Sequence, residues 1–284
     1  MVRFGTCSWK YDSWKGIVYT ESNPKNYLIE YSKKFNTVEI DQWFWSLFPP
    51  LKVVLPQKRV VEEYNKSVPE DFLFTIKVPN ALTLTHFYKE SKDEQLKTNP
   101  FFLSKELFDQ FLESFEPIKK QVGCLIFQFE YLNKQKMSSF AELQFKLADF
   151  FKNMSKKTPA VGIELRNPNY LNEKYFKFLD ELNLTPVLLE GYYMPPVKEI
   201  YSKFKKYINS LAVIRLHGPD RKGIEKIANE NWNQIYINRD SEINSIIEMI
   251  KDLQSREVDL FVNVNNHFEG SAPLTIDKIK RRLN

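Results

Sequence analysis

The feature that most constrains this chain is an alternation running its whole length. Short apolar runs that end in polar residues are each followed by a longer, charged stretch of helical period. That is the pattern of parallel strands joined by helices. The spacing predicts strands over 2–6, 37–41, 72–77, 123–128, 160–166, 185–189, 212–217 and 259–265. It predicts helices over 24–34, 56–65, 104–115, 137–152, 172–182, 195–206, 241–254 and 275–283. In the 137–152 stretch Phe140, Leu143, Leu147, Phe150 and Phe151 fall on one helical face. Eight such pairs in 284 residues predict an α/β fold, one (β/α)8 TIM-barrel domain spanning residues 1–284. An open doubly wound sheet is the alternative. It would call for a glycine-rich phosphate turn after the first strand, and Gly5-Thr6-Cys7-Ser8-Trp9 is not one. The stretches 82–102 and 219–239 exceed ordinary connections, and both follow strands, so both are expected over the C-terminal mouth of the barrel.

Strand side chains alternate between faces, and the alternation sorts these strands. In 37–41 the aliphatic Val38 and Ile40 oppose Thr37, Glu39 and Asp41. The same parity groups Thr75 with Lys77, Cys124 with Gln128, Glu164 with Arg166, Arg215 with His217, and Asn263 with Asn265. The charged or amide residue comes late in each strand, on the face expected to point into the barrel, where sites of this fold are built. Burying Glu39, Lys77, Glu164, Arg166 and Arg215 there costs free energy unless they pair with one another or meet a ligand. A salt-bridge layer closing the barrel top is the plain alternative to a ligand site.

Of the three histidines, His217 ends the seventh strand, His267 directly follows the eighth, and His86 comes nine residues after Lys77 in the loop from the third. Imidazole can act as acid, base or metal ligand near neutral pH. Glu39, Asp41, Glu164, His217 and His267 have the chemistry of metal ligands, but no tight ligand spacing is present and Lys77, Arg166 and Arg215 would repel a cation. No metal and no cofactor are expected. The cationic trio suits an anionic ligand better, because arginine holds phosphate or carboxylate in a two-pronged fork. Aromatic residues gather after the first two strands: Trp9, Tyr11, Trp14 and Tyr19, then Trp43, Phe44 and Trp45. They would form either a hydrophobic lid or a platform for stacking a base or sugar ring.

Composition narrows the class without naming it. Net charge is +5, from 41 Lys and Arg against 36 Asp and Glu, which permits an anionic partner but does not demand one. Cys7 and Cys124 form no metal spacing and no disulfide framework, as expected of buried thiols in a reducing compartment. No secretory-type run opens the sequence and no stretch approaches ~18 apolar residues, so a cytoplasmic protein without membrane partners is expected. Oligomeric state is not readable.

Several motifs, taken in order, carry a family resemblance. They are Gly5-Thr6-Cys7-Ser8-Trp9 with Trp14, Gly16 and Tyr19; Phe35-Asn36-Thr37-Val38-Glu39-Ile40-Asp41; Lys77-Val78-Pro79 with Thr85-His86; Ile163-Glu164-Leu165-Arg166; Ile214-Arg215-Leu216-His217-Gly218; and Asn265-Asn266-His267 with Gly270 and Ala272-Pro273. From Phe4 to about Pro273 the chain resembles the YecE-like proteins, the family catalogued as domain of unknown function seventy-two. The resemblance implies a TIM barrel whose shared polar residues are those that parity picks out. It implies no reaction. Cys7-Ser8 stand where the family usually has Ser-Gly, and Asp41 where it has Asn.

The expected function is an enzyme, a hydrolase, lyase or isomerase, acting on an anionic, phosphorylated or nucleotide-like small molecule. Glu39 or Glu164 would serve as base, His217 as its acid partner, and Lys77 to polarise a carbonyl. Arg166 and Arg215 would hold the anion, with Trp9, Trp14, Tyr19, Asp41, His86, Gln128, Asn265, Asn266 and His267 contributing to binding. The alternatives are a nucleic-acid binding or processing protein using the aromatic loops, and a non-catalytic sensor of a metabolite.

Overall fold

The computed structural model describes residues 1–283 apart from 22, 90, 92, 153, 156 and 157. Residues 90 and 92 of the long stretch after the third strand therefore lie outside the described residues. Eight strands are present where the alternation predicts them: β1 Val2–Thr6, β2 Thr37–Ile40, β3 Leu73–Lys77, β4 Val122–Gln128, β5 Val161–Glu164, β6 Thr185–Gly191, β7 Leu211–Gly218 and β8 Asp259–Val264. All their pairings are parallel, and the order around the sheet is β1-β8-β7-β6-β5-β4-β3-β2. The fold is thus the expected TIM barrel of the α/β class, nearly closed.

The gap in the hydrogen-bond ladder lies between β1 and β2, which adjoin without pairing. A side chain at Gly5 would bring Cβ within 2.3 Å of the Thr37 carbonyl oxygen, so the two backbones approach as closely as glycine allows. The buried hydroxyl of Tyr31 bridges the gap. It accepts from the Thr6 amide at 3.0 Å and donates to the Thr37 carbonyl at 3.0 Å.

Helices follow the strands on the outside. Five of those described start on residues whose side chains accept from first-turn amides: Asn26 before Tyr27–Ser32, Ser104 before Lys105–Ser114, Ser139 before Phe140–Phe151, Asn172 before Glu173–Glu181, and Asp220 before Arg221–Ala228. The predicted face of Phe140–Phe151 is the buried one, through Leu143, Leu147, Phe150 and Phe151. The outward residues of the strands, including Val38, Ile40, Ile76, Phe127 and Ile163, pack against the helices in one large core. A second, smaller apolar cluster of Cys124, Ile126, Val187, Val213 and Phe261 fills the barrel interior. Gly162 makes room for it, since a Cβ there would meet Val187 Cγ2 at 2.7 Å. No helix among the described residues is long and apolar enough to cross a membrane.

Candidate functional site

Above the apolar plug the barrel interior turns polar, residue by residue, as the strands approach their C-terminal ends. Arg215 on β7 is 1% exposed and sits at the centre. Its Nε and Nη2 donate to the two oxygens of Glu39 on β2, at 2.8 and 2.6 Å. Its Nη1 donates to Glu164 on β5 and to Oε1 of Gln128 on β4. Asn263 Nδ2 on β8 completes the layer, donating to Glu39 at 3.1 Å and to Thr75 Oγ1 on β3 at 2.8 Å. Five other strands thus converge on one guanidinium, directly or through Asn263. Burial disfavours the Arg215 charge, but Glu164 and Glu39 hold it firmly protonated. Burial likewise pushes Glu164 up, and the Arg215 and Arg166 charges overcome it and bring its pKa below the ordinary value.

A cavity of about 1800 Å³ opens above this layer, lined by residues from the ends of the strands and from the loops beyond them. The strands bring nine of the fifteen predicted site residues to its wall: Asp41, Lys77, Gln128, Arg166, Arg215, His217, Asn265, Asn266 and His267. Ile40 and Ile76 are register partners on adjacent strands, so Asp41 and Lys77 occupy the next position along each, and each acts electrostatically on the other. Neither takes part in an ion pair among the described residues. Lys77 is 9% exposed and lies over the Phe44 ring, 3.8 Å from its centroid. Burial, then the charge of Arg215, lowers its pKa to about 8. Burial, then the charge of Glu39, raises the Asp41 carboxyl to about 6.

His217 is buried and bonded on both ring nitrogens. Nε2 lies 3.6 Å from Cys7 Sγ, and Nδ1 lies 3.1 Å from the Tyr192 hydroxyl. Burial and the charges of Arg215, Arg166 and Lys77 hold the imidazole neutral. Burial and the Glu39 charge keep Cys7 a thiol. Arg166 donates through Nε to Glu164 at 3.0 Å, and its guanidinium lies 5.0 Å from the centroid of the Tyr192 ring. Tyr192 itself is aimed by the turn at Gly191. That residue has φ +128°, and a Cβ there would strike the Gly218 carbonyl oxygen at 2.3 Å.

The other six predicted residues do not reach the cavity. Glu39 and Glu164 lie beneath its floor, fully enclosed by their bonds to Arg215. Trp14 and Tyr19 are sealed under the loop after β1, stacked on one another with centroids 6.3 Å apart, and the Tyr19 hydroxyl donates to the Trp9 carbonyl. Trp9 packs edge-on against Tyr64. These three form a lid's interior, because large aromatic faces gain more from burial against each other than from water. His86 pairs instead with its own loop, Nδ1 against Thr85 Oγ1 at 2.9 Å.

Sequence reasoning missed Cys7, Tyr192, Arg221 and Glu225, all of which line the cavity. Cys7 continues the inward parity of β1 and could have been read from it. Arg221 and Glu225 sit on a helix, Arg221–Ala228, inside the long stretch after β7, capped by Asp220. Their i,i+4 spacing was the available signal, and they are paired at 2.7 Å, with His267 Nε2 3.2 Å from Glu225. Among the described residues no group of three or more His, Cys, Asp or Glu is arranged to hold a metal ion.

The sequence profile of the family described as "Protein of unknown function DUF72" matches residues 3–284. No curated protein matches the chain. A DUF72 family protein from Enterococcus faecalis V583 superposes with a TM-score of 0.70 at 21% identity, over 100% of this chain and 96% of that one. Another from Thermotoga maritima MSB8 gives 0.67 at 23% identity, over 100% and 99%. Both likenesses show a shared fold, and the profile match shows the relationship: this chain belongs to the DUF72 family, whose function is unknown.

Proposed function

We propose that the protein is an enzyme that binds an anionic, ring-bearing small molecule, phosphorylated or nucleotide-like, and acts on it by acid–base chemistry. The observation that carries this reading is the pair Asp41 and Lys77, at neighbouring strand positions on the cavity wall, both without an ion-pair partner among the described residues and with pKa values drawn toward neutrality from opposite sides. Pairs of titratable groups pushed toward working pH are what proton transfer needs. Glu39 and Glu164 are engaged by Arg215 and His217 is held neutral, so in this reading the acid and base roles fall to Asp41 and Lys77. Arg215 stiffens the floor. Arg166 keeps its terminal nitrogens free of protein acceptors among the described hydrogen bonds and suits an anion; Tyr11, Phe44 and Tyr192 offer ring faces.

The test is a screen of phosphate esters and nucleotides for binding, by quenching of tryptophan fluorescence, and for turnover. A hit should show a bell-shaped rate profile with limbs near pH 6 and 8, and Arg166→Ala should weaken its binding at least tenfold. A hit whose rate is unchanged in both Asp41→Asn and Lys77→Met would overturn the assignment.

One observation favours a second reading. Trp45, Tyr88, Tyr131 and Tyr193 line the cavity rim while 62%, 52%, 59% and 95% exposed. Exposed rings beside cationic groups suit stacking of unpaired bases. Filter binding of single-stranded oligonucleotides across a salt series decides it, because phosphate contacts require affinity that falls with salt.

A further inference from the structure

Lys77 is an unusual lysine. It is almost wholly enclosed, its ammonium rests on an aromatic face, and among the described residues no carboxylate lies within ion-pair distance of it. The charged groups that act on it are Arg215 from β7, Glu39 from β2, Glu164 from β5 and Asp41 just beyond β2. Of these, Glu39 and Glu164 are committed to Arg215. A salt-bridge lysine would have one of them for itself. A desolvated amine beside another cation, facing a ligand-sized space, has instead the setting of a nucleophile.

We propose that Lys77 forms an imine with a carbonyl group of the bound substrate, which makes the substrate an anionic aldehyde or ketone. The proposal rests on the acid–base reading above and gives it a substrate class. The Lys77 nitrogen lone pair forms a C–N bond to the carbonyl carbon as the C=O π pair moves to oxygen, and one of the two nitrogen protons passes to that oxygen. Asp41, at the neighbouring position on the adjacent strand, accepts the second nitrogen proton and returns it to the new hydroxyl. The C–O bond breaks, water leaves, and the nitrogen pair forms C=N. Amine and carbonyl become imine and one water, with nothing oxidised or reduced. The free-amine fraction at pH 7, on the order of a hundredfold above that of an ordinary lysine for a pKa of about 8, favours the first step.

The experiment uses the unmodified protein. It is incubated at pH 7 with cyanoborohydride and either glycolaldehyde phosphate or propionaldehyde, and the reduced adducts are mapped by peptide mass spectrometry. Lys77 is expected to be labelled at least tenfold faster than the average of the other lysines. It should react faster with the phosphate-bearing aldehyde than with the neutral one, with inorganic phosphate protecting it. Labelling of Lys77 no faster than that of surface lysines overturns the imine, even if phosphate esters bind in the fluorescence assay. Fast labelling by both aldehydes alike, without protection by phosphate, supports the imine and overturns the anionic-ligand reading instead.

Discussion

At the scale of single residues, the floor of the cavity separates charges that hold the barrel from charges that burden it. Arg215 with Glu39 and Glu164 belongs to the first kind. Replacing it by Met leaves Glu39 without a cation and Glu164 with Arg166 alone, and losing one partner of a buried pair costs about 3–5 kcal/mol. Urea unfolding of Arg215→Met should show a loss of that order; a change below about 1 kcal/mol would mean the carboxylates find other partners. Asp41 belongs to the second kind. Its folded pKa, about 6, stands above the ordinary 3.8, so the folded state binds the proton more tightly than the unfolded chain. The stability from that proton is complete below pH 3.8 and is lost as pH rises through about 6. Two units correspond to about 3 kcal/mol. Asp41→Asn should therefore raise Tm at pH 8, while the difference from wild type shrinks toward pH 4. An offset equal at both pH values would show that the carboxylate does not titrate as described. Lys77 follows the mirror-image rule: its pKa, lowered from 10.5 to about 8, destabilises the folded state in full below about pH 8 and not at all above 10.5. Parity along the strands makes Lys77 and Asp41 legible in the sequence itself. It could not tell which carboxylates Arg215 would take, since partner choice depends on register between strands far apart in sequence: Glu39 and Arg215 are 176 residues apart.

At the scale of elements, the weakest point of the barrel wall is the unladdered contact of β1 with β2, and Tyr31 is what spans it. Tyr31→Phe keeps the ring packed against Phe35 and Phe72 but strips a buried amide and a buried carbonyl of their partner. An unsatisfied buried group costs about 1–3 kcal/mol, so the variant should lose stability in that range. Hydrogen exchange at the Thr6 amide should accelerate more than exchange in β6, on the opposite side of the barrel. Uniform acceleration would place the loss elsewhere. The eight strands and their helices were readable because each repeats one period for long enough to register. The hairpin of Leu47–Phe48 with Lys52–Val53 was not, since two residues per strand carry no alternation. The helix Arg221–Ala228 was hidden for a different reason. It sits in a stretch whose polar composition reads as loop, and it is held by an Asp220 cap and packing of Ile224 and Ala228. Aromatic clustering after β1 was visible, but whether Trp14 and Tyr19 faced a ligand or each other depended on how the loop folds back. The structure folds it onto itself.

At the scale of the whole molecule, the first and last strands are neighbours. Val2 to Thr6 of β1 pair with Leu260 to Val264 of β8, and the amino terminus bonds to Asp259 at 2.6 Å. The floor repeats this on the inside, where Arg215, Glu39 and Glu164 tie together strands from both halves of the chain. Any cut that divides the sequence into two segments therefore opens the wall, splits the interior plug and, over much of the chain, strands a buried charge. These couplings are why we propose that residues 1–284 unfold as one unit. Calorimetry is expected to show a single transition whose van't Hoff and calorimetric enthalpies agree, the signature of an all-or-none change. A phosphate ester bound in the mouth should shift that whole transition upward, by about 2.7 kcal/mol at a hundred times Kd, because the strands that form the wall also form the site. Two resolved transitions, or a ligand that moves only part of the melt, would mean that the barrel consists of two independently folding segments and that the cavity belongs to one of them.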